Sequence, residues 1–254
     1  MKIKLHLFGD SYTQGHFLDN TFKPYKEWKE YIKKDLPPTW GDILQQKFKC
    51  VLNNNAVAGM SNPEIFQTIC NHSDEFNPND IVIVNWTFNH RFRWVVWNED
   101  ENKFHWKRFS VNREDGKYLK EFIREEIAMN RSHPLHIQEI YNYQKILTEY
   151  SKSKKFFLFF WSADYDIIND LPNNELKDDR YILHDEISKL PPFNFNNQKI
   201  RTMFDVIFKY GGKTIEQETD NKILNGHHMG ESGHRVQGEL FYQYLLKYTT
   251  ISII

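Results

Sequence analysis

The sequence predicts an α/β fold in which a central parallel sheet of about five strands carries helices on both faces. Three observations predict it. Strand-like apolar runs alternate with amphipathic segments along the chain, the rhythm of consecutive βαβ units. Three of those runs are apolar nearly throughout, as strands covered on both faces must be. Finally, 254 residues with 40% hydrophobic content suffice to bury one large core, so residues 1–254 are read as a single domain.

The elements follow in order. "KIKLHLF" (2–8) alternates polar and apolar residues and forms the first strand. A helix over 39–48 leads to a second strand, "KCVLNNN" (49–55), and "NPEIFQTICNH" (62–72) opens on a proline placed where a helix tolerates it. "DIVIVNW" (80–86) is the third strand. Residues 93–110 then break the rhythm as a hairpin around "NEDENK", with Trp94, Trp97 and Trp106 on its arms. Helices are expected over 116–130 and 134–152, strands at "KKFFLFFWS" (154–162) and "GKTIEQE" (212–218), and a last helix over 233–248. Insertions fall near 93–130 and 163–211. An irregular stretch as long as 163–211 is either a functional lid or a packing excursion.

Composition excludes several classes of function. The 33 basic and 34 acidic residues give a net charge of −1 and leave no footprint for nucleic acid or an anionic membrane. Cys50 and Cys70 are too few for a disulfide framework and read as buried thiols. The first residues lack the long apolar stretch and small-residue cleavage site of a signal peptide, so a non-secreted, cytoplasmic protein is expected. No segment has 18 consecutive apolar residues, the length that marks a membrane helix. The 16% aromatic content supplies flat, polar-edged rings that serve either core packing or stacking on sugars.

The chemistry gathers at four places. "FGDSYTQG" (8–15) puts Ser11 just past the carboxyl end of the first strand, the edge of an open α/β sheet where ligands bind. "NNNAVAGMSN" puts Gly59 after the second strand, and "DIVIVNWTFNHR" puts Asn89 after the third. "NGHHMGESGH" (225–234) brings Asn225, His227 and His228 together before the last helix, with His234 at its start. On residue type alone, Gly59 and Asn89 are turn residues and Gly-Asp-Ser is a common turn.

Taken in order, these blocks resemble the SGNH, or GDSL-like, hydrolases, and the resemblance spans about residues 3 to 248. It implies a flavodoxin-like three-layer α/β/α sandwich and a serine esterase that needs no cofactor. The resemblance implies Ser11 as nucleophile and His228 as its base. It also implies an oxyanion hole made by the backbone N–H groups of Ser11 and Gly59 and the side-chain amide of Asn89. A serine hydroxyl needs such a neutral imidazole, because at its own pKa it is a poor nucleophile.

The sequence departs from the family pattern at three positions. Thr87 and His90 replace the third block's glycine and aspartate, changes expected to alter the pocket rim. Asn225 replaces the triad acid, a substitution that costs a serine protease about 10⁴ in turnover. Substitutes for the acid are Asp220, Glu218 or a backbone carbonyl, while Asp10 is expected to serve the turn and helix start. As a metal site, the histidines lack the i, i+4 spacing of helical metalloprotease ligands, and His234 reads as a packing and capping residue.

Arg91, Trp86 and Trp94 stand near the expected mouth as candidate substrate contacts, Arg91 for a carboxylate or sugar hydroxyls. The expected activity is removal of a small acyl group, acetyl above all, from a carbohydrate through an acyl-serine intermediate. The alternative is a carbohydrate-binding module of the same fold with impaired catalysis. A third reading uses the tryptophan-bearing hairpin as an interface for a second subunit.

Overall fold

The computed structural model of the protein describes residues 3–14, 29–30, 37–87, 91–110, 133–150, 157–161, 207–219 and 228–248. Its strands and helices in chain order are β1 (Lys4–Phe8), α1 (Ser11–Gln14), α2 (Trp40–Phe48), β2 (Val51–Asn54), α3 (Asn62–Asn71), β3 (Ile81–Trp86), β4 (Arg91–Asn98), β5 (Lys103–Ser110), α4 (His133–Tyr150), β6 (Phe157–Trp161), α5 (Ile215–Thr219) and α6 (Glu231–Tyr248). The expected helix over 116–130 and nearly all of 163–211 lie outside the described residues.

The fold is α/β, with a parallel sheet packed by helices. Its strand order is β2-β1-β3-β6, and every pair in it is parallel. The chain leaves β1 in one direction to form β2 and returns past it to form β3. A topological switch therefore lies between β1 and β3, and its crevice opens at their carboxyl ends.

The period of two along the strands sorts the core into two clusters. Leu5, Leu7, Ile81 and Ile83 meet Trp40 and Leu44 of α2 and Leu240, Phe241 and Leu245 of α6. Phe8, Val82, Val84 and Trp86 meet Ile65 and Ile69 of α3 and Ile140 and Leu147 of α4. β3 is buried at all six positions, the apolar run that both faces require. In β1 the polar alternation does not mark a solvent face, because His6 is fully buried and reaches Asp80 at 3.4 Å.

Local chemistry sets the helix starts. Thr39 and Asp42 form a reciprocal capping box on α2, Thr39 N–H donating to Asp42 Oδ2 at 2.8 Å and Asp42 N–H to Thr39 Oγ1 at 3.2 Å. Ser61 N–H and Oγ both donate to Glu64 Oε2 at 2.9 Å at the start of α3. α2 and α6 approach closely because Gly238 has no side chain: a Cβ there would lie 2.8 Å from Ile43 Cγ2. The hairpin turns at residues 99–102, where Asn98 Oδ1 accepts from Asp100 N–H and Asn102 adopts φ 48°.

Two expectations are corrected. Residues 212–218 do not form a strand: Thr214 makes a single antiparallel bridge to Met229, and Ile215–Thr219 is helical. Thr214 N–H donates to Gln217 Oε1 and Gln217 N–H to Thr214 Oγ1, so a capping box outweighs the β-branched Thr-Ile pair. Cys70 is exposed, since the buried face of α3 carries Ile65 and Ile69 and Cys70 falls beside it; Cys50 is buried. Among the described residues no helix is long and apolar enough to cross a membrane.

Trp40 ties these layers together. Its ring packs edge-on against Phe241, and its backbone N–H donates to His234 Nδ1 on α6 at 3.3 Å. His234 is enclosed, and burial pushes its pKa from 6.5 down to about 3. The unfolded chain therefore binds more protons than the folded one between those values, and stability falls as pH drops through that window. His6, lowered by burial against the opposing pull of Asp80, acts in the same direction. Urea-unfolding free energy should accordingly decline from pH 6.5 to pH 5, above the main range of carboxylate titration. His234→Gln, whose amide oxygen can still accept from Trp40, should flatten that decline by up to about 1.4 kcal/mol per pH unit. An unchanged slope in this variant would assign the pH dependence to other groups.

Candidate active site

β1 delivers the chain into the turn at Gly9 and Asp10, and α1 begins at Ser11. Only glycine fits at position 9, because a Cβ there would meet Thr13 Oγ1 at 2.5 Å and Asn85 Cβ at 2.9 Å. Asp10 starts the helical turn twice over. Its carbonyl accepts from Thr13 and Gln14 N–H at 3.0 and 2.9 Å, and its Oδ1 accepts from Tyr12 N–H at 3.0 Å.

The same carboxyl reaches across the switch point to the end of β3. Asp10 Oδ2 accepts from Thr87 Oγ1 at 2.6 Å, and Oδ1 accepts from Asn85 Nδ2 at 3.4 Å. Thr87 is in turn clamped by Asn62 at the start of α3. Its N–H donates to Asn62 Oδ1 at 2.7 Å and its carbonyl accepts from Asn62 Nδ2 at 3.0 Å. Asp10, Asn62, Asn85 and Thr87 are all buried, so these bonds satisfy groups that water cannot reach. Thr87 is therefore not a rim residue as expected: its hydroxyl fastens the two central strands together.

The loop after β2 is laced to the same turn. Val57 N–H donates to the Gly9 carbonyl at 3.1 Å, Ala58 N–H to Gln14 Oε1 at 2.7 Å, and Asn54 Nδ2 to the Thr13 carbonyl at 3.2 Å. Gly59 sits at φ 76° in a turn closed by Met60 N–H on the Val57 carbonyl, a left-handed position that favours glycine. Ser11 and Gly59 thus stand on neighbouring, mutually bonded segments.

His228 comes to this place from the far end of the chain. Its carbonyl accepts from Ile215 N–H at 3.0 Å, and Gly230 N–H donates to the Lys213 carbonyl at 2.8 Å, so a short antiparallel bridge fixes its backbone. Its ring stacks on Tyr12, centroids 5.0 Å apart and planes 17° apart. The histidine is thereby seated against the residue that follows Ser11. Ser11 itself is buried at 2% exposure. His234 Nδ1 accepts from Trp40 N–H, while His228 stacks on Tyr12.

Glu218, a candidate substitute for the triad acid, is engaged elsewhere. Its Oε2 accepts from Glu231 N–H at 2.9 Å and its Oε1 from Ser232 N–H at 2.7 Å, capping the N-terminus of α6. Asn225, Asp220, His227 and Asn89 lie outside the described residues. Arg91 and Trp94 belong to β4 by their backbone. Trp86 is 1% exposed and packs with the second core cluster near Tyr143, so its ring is a core group. Sequence reasoning passed over two residues: Tyr12, the stacking partner of His228, and Asn62, the clamp on Thr87. Their only signals were adjacency to Ser11 and position at a helix start.

The Asp10 network generates a stability prediction. Asp10→Ala leaves the Thr87 hydroxyl, the Asn85 amide and the Tyr12 N–H without their buried acceptor, and should lower unfolding free energy by on the order of 3 kcal/mol. Urea denaturation of the two proteins at equal m-value measures the difference. A loss within 0.5 kcal/mol, about the size of a neutral surface change, would mean that the network contributes little.

Compared with known proteins, the chain matches no family model, and no curated protein matches it.

Proposed function

We propose that the protein is a serine ester hydrolase of the SGNH type, with a flavodoxin-like sandwich, that removes a small acyl group such as acetyl from a carbohydrate. The observation that carries this reading is the seating of His228 against Tyr12, which brings a histidine from the end of the chain beside the Ser11 turn. Further support comes from the position of Ser11 at the carboxyl end of β1, next to the switch between β1 and β3.

In this mechanism Ser11 Oγ attacks the ester carbonyl while His228 takes its proton. The backbone N–H groups of Ser11 and Gly59 and the Asn89 amide stabilise the oxyanion, donors typically worth about 10²–10³ each in rate. His228 returns the proton to the leaving alcohol. Water, activated by the same imidazole, then attacks the acyl-serine, the acid departs and Ser11 recovers its hydrogen. No cofactor enters. The reading casts Arg91 and Trp94 as contacts to the carbohydrate.

One observation favours a second reading, a carbohydrate-binding module with impaired turnover. Asn225 stands where the acid belongs, and Glu218 is spent on capping α6. Both readings meet in one assay, hydrolysis of p-nitrophenyl acetate by the native protein, Ser11→Ala and Asn225→Asp. Esterase activity should vanish in Ser11→Ala and rise by about 10²–10⁴ in Asn225→Asp. Activity that survives Ser11→Ala refutes the serine mechanism. Inertness of all three proteins, with acetylated sugars still bound by Ser11→Ala, selects the binding module.

A further inference from the structure

Three segments meet at the carboxyl edge of the sheet, and each is bonded to both of the others. The first is the turn from Gly9 to Gln14 after β1. The second runs from the end of β2 through Gly59 to Asn62, the first residue of α3, and the third is the end of β3 at Thr87. A side chain spans each gap. Gln14 Oε1 accepts from Ala58 N–H at 2.7 Å and joins the first segment to the second. Thr87 Oγ1 donates to Asp10 Oδ2 at 2.6 Å and joins the third to the first. Asn62 closes the triangle, its Oδ1 accepting from Thr87 N–H at 2.7 Å and its Nδ2 donating to the Thr87 carbonyl at 3.0 Å.

Closure has a mechanical consequence. Two segments joined by one hydrogen bond can still pivot about it, whereas three joined pairwise hold one another's spacing. Asp10, Asn62 and Thr87 are buried, so two of the three sides are bonds made in a low dielectric, where they are stronger than in water. The remaining side is reinforced. Val57 N–H donates to the Gly9 carbonyl at 3.1 Å, Asn54 Nδ2 to the Thr13 carbonyl at 3.2 Å, and Gln14 is itself anchored by its N–H on the Asp10 carbonyl at 2.9 Å.

Each segment contains or leads to one donor of the proposed oxyanion hole. Ser11 lies between Asp10 and Gln14, Gly59 follows Ala58, and Asn89 comes two residues after Thr87 in the sequence. Such donors are effective only when fixed in advance, and a displacement of about 1 Å can cost on the order of 10² in rate. We propose that the ties made by Gln14, Asn62 and Thr87 form a closed frame that sets the mutual spacing of these three donors, with Gln14 a positioning residue that acts through Ala58 and Gly59. The assignment rests on the esterase reading, under which the three donors share one oxyanion.

The test removes one tie at a time from the full chain. Gln14→Met keeps the length of the side chain and loses the acceptor; Thr87→Val keeps the shape and loses the hydroxyl. Gln14 is only half-buried, so its replacement leaves the core intact. Each variant should lower kcat for p-nitrophenyl acetate by about 10–10²-fold and leave KM within about twofold, because only the transition state carries the oxyanion. Gln14→Glu and Thr87→Ser, which keep the acceptor and the hydroxyl, should recover most of that loss. A readout that needs no turnover is the side-chain amide signal of Asn89 in a proton–nitrogen NMR spectrum, assigned by its loss in Asn89→Asp. It should move in Gln14→Met, since the frame passes the change on through Asn62 and Thr87, and stay in place in Gln14→Glu. An unmoved signal in Gln14→Met overturns the frame, as does a kcat unchanged by Gln14→Met and Thr87→Val when native activity requires Ser11. A native protein inert to the ester, with the signal moving in Gln14→Met, would keep the frame and lose the esterase reading.

Discussion

The Asp10 carboxyl is the constraint on which the centre of the molecule depends. Parallel strands are joined along their length by backbone bonds, but at the carboxyl end of β1 the chain must leave the sheet, and its polar groups need other partners. Asp10 meets that need from a buried position by accepting from Tyr12 N–H, Thr87 Oγ1 and Asn85 Nδ2. One side chain thereby starts α1 and holds the residues at the end of β3. The absence of a Cβ at Gly9 is part of the same solution, because Thr13 and Asn85 occupy the space it would fill.

Tyr12 is held from both sides of its backbone. Its N–H goes to Asp10, and its carbonyl accepts from Trp40 Nε1 at 3.1 Å. Trp40 in turn is fixed by the first core cluster and by His234 on α6. The ring on which His228 rests is thus positioned by the sheet on one side and by the helical layer on the other. Such a stack contributes only about 0.5–1.5 kcal/mol, but it acts on an imidazole whose backbone the bridge to Thr214 and Ile215 has already placed.

Much of this was legible in the residues. The apolar runs at 80–86 and 154–162 and the turn signals after β1 and β2 led to the parallel sheet and to the edge where Ser11 stands. Asp10 as a turn and helix-start residue and His234 as a packing and capping residue were also readable, since short-range preferences govern the first and the missing metal spacing the second. The errors have local physical causes. Thr214 and Ile215 suggested a strand by β-branching, yet the Thr-x-x-Gln pattern of a capping box was present in "TIEQ". Thr87 was read as rim because pattern comparison gives a residue's place in a block but not its partner; a bond to Asp10 is a three-dimensional fact. Tyr12 stacking on His228 is non-local in the same way, and no periodicity in either segment encodes it.

On the proposed mechanism, the division of labour around His228 bears on how the site works without a triad acid. A triad acid does two things for its histidine: it orients the ring and, by accepting from one nitrogen, it fixes the tautomer and stabilises the imidazolium. Stacking on Tyr12 and the bridge at Thr214 supply orientation without any carboxylate. They supply nothing toward the proton, because a π-face neither distinguishes the two ring nitrogens nor carries a full negative charge. Loss of the acid at position 225 would, on that mechanism, leave the ring placed while control of the tautomer and stabilisation of the imidazolium are lost. On the proposed mechanism, restoring a carboxylate there acts chiefly on turnover, since the described elements that build the site are tied by Asp10, Trp40 and Glu218.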